Sequence, residues 1–166
     1  MVDSRTLRRD PGERTPTTTI VVDGDPVVSE SWLAGVDTIT PGVLVMAINA
    51  TQITEAPAGN VALGWADVDL TGYSACKTIG GVYTTGDPVR VVSGDICLRA
   101  KLTTGAAATL TAGQLLKPGG AGVLASCGAP TATSTDAIHN ALPVAKLMEE
   151  YVTANAITAV KVQSLI

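Results

Sequence analysis

The stretch Ile96-Cys97-Leu98-Arg99-Ala100-Lys101-Leu102 alternates without a break. Ile96, Leu98, Ala100 and Leu102 fall on one side, Cys97, Arg99 and Lys101 on the other. Successive side chains of an extended chain point to opposite faces, so a period of two marks a strand with one face in a core. The pattern returns in residues 157–166, where Val160 and Val162 share one face and Lys161 and Gln163 the other. Elsewhere short apolar runs lie beside turn signals. Ile20-Val21-Val22 ends at Asp23-Gly24-Asp25-Pro26. Val43 to Ile48 follows Pro41-Gly42, Val61 to Leu70 follows Pro57-Ala58-Gly59-Asn60, and Val89 to Val92 follows Gly86-Asp87-Pro88. Leu115-Leu116 and Val123-Leu124 flank Lys117-Pro118-Gly119-Gly120, which reads as a hairpin turn. Three places repeat one phrase, a glycine-containing turn and then an apolar strand, at Thr40–Val45, Thr85–Val91 and Thr111–Leu116. Their spacing is too irregular for a solenoid. Residues 136–151 hold good helix formers, but Pro143 would break a helix in its middle. A strand over Val144 to Met148 is the preferred reading there, with a short helix as its rival. Together these signals predict an all-β fold: a small barrel or sandwich of short antiparallel strands with at most one short helix.

Composition limits what such a fold can be. Of 166 residues, 46% are hydrophobic but only 3% aromatic, with no Phe, so the core must be built from Val, Ile, Leu and Ala. Ala contributes little transfer energy per site, and a thin core is commonly supplemented by disulfides, metal or self-association. Cys76, Cys97 and Cys127 are odd in number, widely spaced and without a CxxC, so they read as small buried hydrophobes in a reducing compartment. Self-association or docking on a larger surface is the remaining route. Charged residues are 16% and the net charge is −4, which argues against both a chain disordered throughout and a general nucleic-acid binder. No apolar run approaches the roughly 20 residues of a membrane span. The opening MVDSRTLRRD is polar, with no apolar signal region, so no secretory signal is visible.

Residues 1–19 stand apart from a domain expected over 20–166. Four of the six Arg lie there (Arg5, Arg8, Arg9, Arg14), with Pro11, Pro16 and a run of three Thr. No apolar periodicity supports a strand or helix, so an extended N-terminal arm is expected. Asp3, Asp10 and Glu13 leave it a net charge of only +1, which disfavours nucleic acid as its target. Its two readings are a frayed terminus, and an arm whose Arg residues engage carboxylates of a partner.

Reactive chemistry is sparsely represented. The lone His139 has Ser134 and Asp136 nearby, but no nucleophile elbow accompanies them, and a loop histidine is the plainer reading. Asp67 and Asp69 would share a face if they lay in a strand and could then hold a cation, although exposed strand faces often carry acids. Asp23 and Asp25 are similarly close. Lys117–Gly122 lacks the ending of a phosphate loop. Asn49-Ala50-Thr51 fits a glycosylation pattern, which without a signal peptide reads as chance.

Four runs in order carry a family likeness: YTTGDPVRVVSGDICLRAKL (83–102), LTAGQLLKPGGAGVLAS (110–126), LPVAKLMEE (142–150) and ITAVKVQSLI (157–166). With them residues 40–166 resemble the capsid decoration, or head cement, proteins of tailed double-stranded DNA viruses. That family's pattern has a turn and strand "taGd-x-Val", a second turn "itaGdlLk" before a Gly-rich hairpin, a small-residue strand and a closing "V-x-V" strand. Ala145 holds the place of the family's alanine, whereas Pro143 stands where a glycine is usual. Leu63-Gly64-Trp65-Ala66 echoes a further phrase, and residues 1–39 fall outside the likeness. The resemblance implies a β-barrel-like subunit, usually trimeric, on the outer surface of an icosahedral capsid at local three-fold positions. There it would bridge neighbouring major capsid proteins, with no catalytic residue, cofactor or metal to carry over and with no membrane or nucleic acid as partner. Arg5, Arg8, Arg9 and Arg14 are then the candidate contacts to the capsid or to a neighbouring subunit. The competing expectation is a carbohydrate- or receptor-binding barrel, whose anchors would be drawn from Trp32, Trp65, Tyr73, Tyr83 and Tyr151. Two further expectations compete with it: a hydrolase centred on His139, and a tail or fibre subunit.

Overall fold

A computed structural model describes residues 19–36, 38–70, 74, 76, 78–103, 108–127, 143–149, 151–153 and 157–166. The described residues form thirteen strands and no helix. In chain order they are β1 (Val21–Asp23), β2 (Val27–Ala34), β3 (Leu44–Ala47), β4 (Gln52–Glu55), β5 (Gly64–Ala66), β6 (Pro88–Ser93) and β7 (Cys97–Leu102). The remainder are β8 (Ala108–Leu110), β9 (Leu115–Gly120), β10 (Val123–Ser126), β11 (Ala145–Leu147), β12 (Tyr151–Thr153) and β13 (Thr158–Ser164).

Two curved sheets share the work. The strands β2-β4-β3-β5-β6 close into a five-stranded barrel. A six-stranded sheet runs β1-β7-β10-β9-β11-β13, and β13 returns to pair with β7, so this sheet also curls round on itself. A ribbon of β8 and β12 completes the set. Pairing is mostly antiparallel, as expected, but β2 runs parallel to β4 and β10 parallel to β7.

The alternating stretch is the hub. Ile96, Leu98, Ala100 and Leu102 are buried in one core, and antiparallel β13 covers one edge of β7 from Thr158↔Leu102 to Gln163↔Cys97. Three segments satisfy the other edge in turn. Arg99 N–H donates to the Ile20 carbonyl, Lys101 N–H to that of Gly42, and Thr103 N–H to that of Leu124, each at 2.9 Å. The Gly42 bond ties the turn before β3, in the first barrel, directly to the second sheet. Glycine is required at that point for two reasons. Its φ is +88°, and an added Cβ would sit 2.9 Å from the Arg99 carbonyl oxygen. The other two repeated phrases turn in the same way, at Gly86 and Gly113.

The wall between the sheets explains why some runs are apolar without alternation. Val45, Ala66, Val89 and Val91 line the inside of the barrel with Ile39, Ile53 and Tyr83. Their neighbours Leu44, Trp65 and Val92 point the other way, into the core of the second sheet. Strands buried on both faces read as continuous apolar sequence. Trp65 Nε1 donates to Ser164 Oγ at 3.2 Å, so the barrel's largest fully buried side chain is pinned to the last strand.

Several expectations are corrected. Of residues 61–70 only Gly64–Ala66 is strand, because Asp67 to Asp69 leave the sheet to bury their carboxylates. Lys117–Gly120 is not a turn but part of β9. Pro118 pairs with Leu124 beside a register shift, where a ladder tolerates a residue lacking an N–H. The turn lies at Ala121-Gly122, with φ of +47° and +69°. β2 and β4 carried no alternation to reveal them: β2 is largely exposed on both faces, and β4 is short and polar. Over residues 136–151 the preferred strand is present as β11, while 128–142 lie outside the described residues.

Candidate functional site

The described chain begins at Thr19, where the predicted arm ends, and that point is fastened by a buried polar cluster. Asp67 follows β5 directly and is fully buried. Its Oδ1 accepts the Ile20 backbone N–H and its Oδ2 the Thr19 hydroxyl, both at 2.8 Å. Arg90 on β6 alternates away from Val89 and Val91, which turns its guanidinium out of the barrel and towards this carboxylate. Arg90 Nε lies 3.4 Å from Asp67 Oδ2, an ion pair without hydrogen-bond geometry, and Nη1 donates to Glu30 Oε1 on β2 at 2.9 Å. The Tyr83 hydroxyl donates to the Asp67 carbonyl at 2.5 Å, and burial pushes this phenol far above its ordinary range. A buried carboxylate is costly unless paired and hydrogen-bonded, and here both oxygens are engaged. The arrangement fastens Thr19 and Ile20 to the barrel and leaves the Arg90 Nε–H facing Asp67 without a hydrogen bond.

A second polar seam joins the sheets. Lys101 on β7 donates through Nζ to Thr40 Oγ1. Burial lowers the Lys101 ammonium, and the nearby Glu55 on β4 opposes that shift. Burial raises the Glu55 carboxyl, countered by its hydrogen bond to Thr38 and by Lys101.

The sequence-derived candidates separate accordingly. Arg5, Arg8, Arg9 and Arg14 lie outside the described residues, as do Ser134, Asp136 and His139. Asp67 and Asp69 do not share a cation on a strand face. They sit in no strand, and each has its own protein donors, Asp69 Oδ2 accepting the Ser74 N–H at 2.6 Å. Asp23 and Asp25 are exposed at a turn. The Asn49 side chain closes the β3–β4 turn by accepting the N–H groups of Thr51 and Gln52. Of the aromatic candidates, Trp65 and Tyr83 are interior and Trp32 is half-buried on β2. Tyr151 opens β12, and Tyr73 lies outside the described residues. The cysteines are free thiols, and burial raises all three, Cys76 to about 11.

Arg90, Tyr83, Glu30 and Thr19 were missed as a group. Their partners are distant in sequence, so no local motif announces them. The one available signal was Arg90 itself, a cation inside the apolar run Val89–Val92 that needs an opposite charge nearby. Comparison with protein-family models and with curated protein sequences finds no match to this chain.

Proposed function

We propose that this protein is a structural virion component, a decoration protein that binds the outer surface of an icosahedral capsid as a homotrimer at three-fold positions. In that role it cements neighbouring major capsid proteins and catalyses no reaction. The observation that carries the reading is where the family-like phrases fall. Parts of the four runs form β7, β9, β10, β11 and β13 of one sheet, while Pro88–Ser93 of the first run is β6 of the barrel. The family-like runs thus meet in that sheet, and the first of them joins it to the barrel. A clamp needs broad contact area rather than a reactive cleft, and the polar cluster at residues 19, 67 and 90 suits the anchoring of an arm that reaches a neighbour.

The arm supplies the test. Bare expanded heads are mixed with the full chain or with a chain lacking residues 1–15, and bound protein is measured after pelleting. The full chain is expected to pellet with the heads, and the truncated chain to bind more weakly while keeping its trimeric mass. Failure of the full chain to bind heads overturns the proposed function. Undiminished binding by the truncated chain removes Arg5, Arg8, Arg9 and Arg14 from the contact.

A further inference from the structure

Without β1, the second sheet is a barrel built on the plan of the first. Its strands close in the order β7-β10-β9-β11-β13, and those of the first barrel in the order β2-β4-β3-β5-β6. Numbered along the chain, both read first, third, second, fourth, fifth. In both, the C-terminal end of the first strand runs parallel to the third, and every other pairing is antiparallel. The backbone hydrogen bonds correspond as well. Gly42 N–H donates to the Ala66 carbonyl as Gly113 N–H does to that of Leu147, Leu63 to Val45 as Val144 to Leu116, and Gly35 to Ile53 as Thr103 to Leu124. These registers lay β2 on β7, with Ser29 at the place of Leu98, Trp32 at that of Ala100 and Ala34 at that of Leu102.

The two first strands differ at one edge. β7 has β13 on one side, and the N-terminal half of its other side is closed by antiparallel β1, with Val21 opposite Leu98. Ile20 and Val21 thereby enter the core, and Leu98 and Ala100 have no exposure. β2 has β6 on one side, but only Leu33 and Ala34 meet β4 on the other. Among the described residues no strand flanks Val27–Ser31 there. Ser29 and Trp32 are correspondingly only half-buried, and Val27, Val28 and Leu33 are exposed. Native sheet edges are commonly guarded by lysine or proline; Val27–Ser31 holds neither. The edge that β1 seals on one barrel is therefore open on the other.

We propose that the open edge of β2 accepts an extended strand of the major capsid protein, antiparallel to β2, as β1 lies on β7. The identity of the donor rests on the capsid reading above. Main-chain hydrogen bonds supply the affinity of such a contact, and side chains at alternate positions supply its selectivity. The incoming strand needs an aliphatic side chain at the place Val21 takes on β7, where it would cover Trp32. It also needs a cation within reach of Glu30, the one charged residue of β2, which is half-exposed beside Arg90. Residues 1–18 of this chain do not meet those needs. They contain Pro11 and Pro16, and Val2 and Leu7 are their only branched aliphatic residues.

Hydrogen exchange of the full chain, free and bound to expanded heads, tests this by mass spectrometry. Amides of residues 27–31 are expected to exchange at least about tenfold more slowly on heads. V28K/L33K sets two lysines along the edge and should weaken head binding by about tenfold or more. V61K/I157K adds the same charge at exposed sites outside β2 and should bind as the wild type does. Near-UV circular dichroism establishes that the variants are folded, and the exchange measurement on the wild type stands without them. Head binding with unchanged exchange over residues 27–31 overturns the proposal and leaves the capsid reading standing, as does wild-type binding by folded V28K/L33K. A full chain that binds no heads overturns the capsid reading, and with it the donor named here.

Discussion

Asp67 concentrates more of the chain's long-range order than any other single side chain described. It ties Thr19 and Ile20 to the barrel and faces Arg90. In Asp67→Asn the amide keeps one acceptor, turns a donor towards a donor, and removes the charge opposite Arg90. A loss of about 2–4 kcal/mol is expected by urea unfolding. Hydrogen exchange at the Ile20 amide should quicken as well, and unchanged protection there would mean that other contacts hold Thr19 and Ile20. The thiols give a second test at this scale. Only thiolate reacts with a disulfide reagent, and burial raises Cys76 to about 11 and also raises Cys97 and Cys127. Cys76 and Cys97 should label slowly at pH 7 in the folded chain and rapidly in denaturant, with the half-buried Cys127 ahead of them; fast labelling of Cys76 or Cys97 in the native protein would contradict their burial.

At the scale of elements, β7 joins the two sheets, so damage to it should spread. Leu98→Ala empties a site with no exposure and should cost about 2–5 kcal/mol, with the barrel and the second sheet melting together. Separate transitions would show that the sheets are energetically independent. The Glu55–Lys101 seam gives stability a pH dependence. The folded Glu55 pKa is raised above 4.5, so the folded state binds its proton more readily than the unfolded chain does. Its stabilising contribution is complete below that ordinary value and is lost as pH rises through the folded pKa. Between those limits, acidification should therefore raise the urea midpoint of the wild type relative to Glu55→Gln. A difference that is flat with pH would contradict the burial of this carboxyl. The sequence displayed β7 and β13 because each has one wet and one dry face. It blurred β3, β5 and β6 because both of their faces are covered, and it concealed β2 because neither face is well covered. Proline and glycine misplaced the β9–β10 turn, since Pro118 sits at a register shift rather than at a corner. The cluster around Asp67 was illegible apart from Arg90, because it is assembled from four separate segments.

The whole molecule pairs an acidic barrel with a basic sheet around a core poor in aromatics, and it leaves exposed apolar side chains such as Val27, Val61 and Ile157 at its surface. Such a subunit gains from being covered, and stability that depends on partners rises with their concentration. Decorated heads should accordingly resist heat or osmotic shock better than bare ones, and the protein on heads should unfold at a higher temperature than the protein in solution. Equal heat resistance with and without bound protein would contradict a cementing role. The most direct measurement is cryo-microscopy of bare expanded heads saturated with the purified chain. Copies in groups of three on every local three-fold position are predicted; heads that remain bare, or protein scattered without regard to the lattice, would contradict the account.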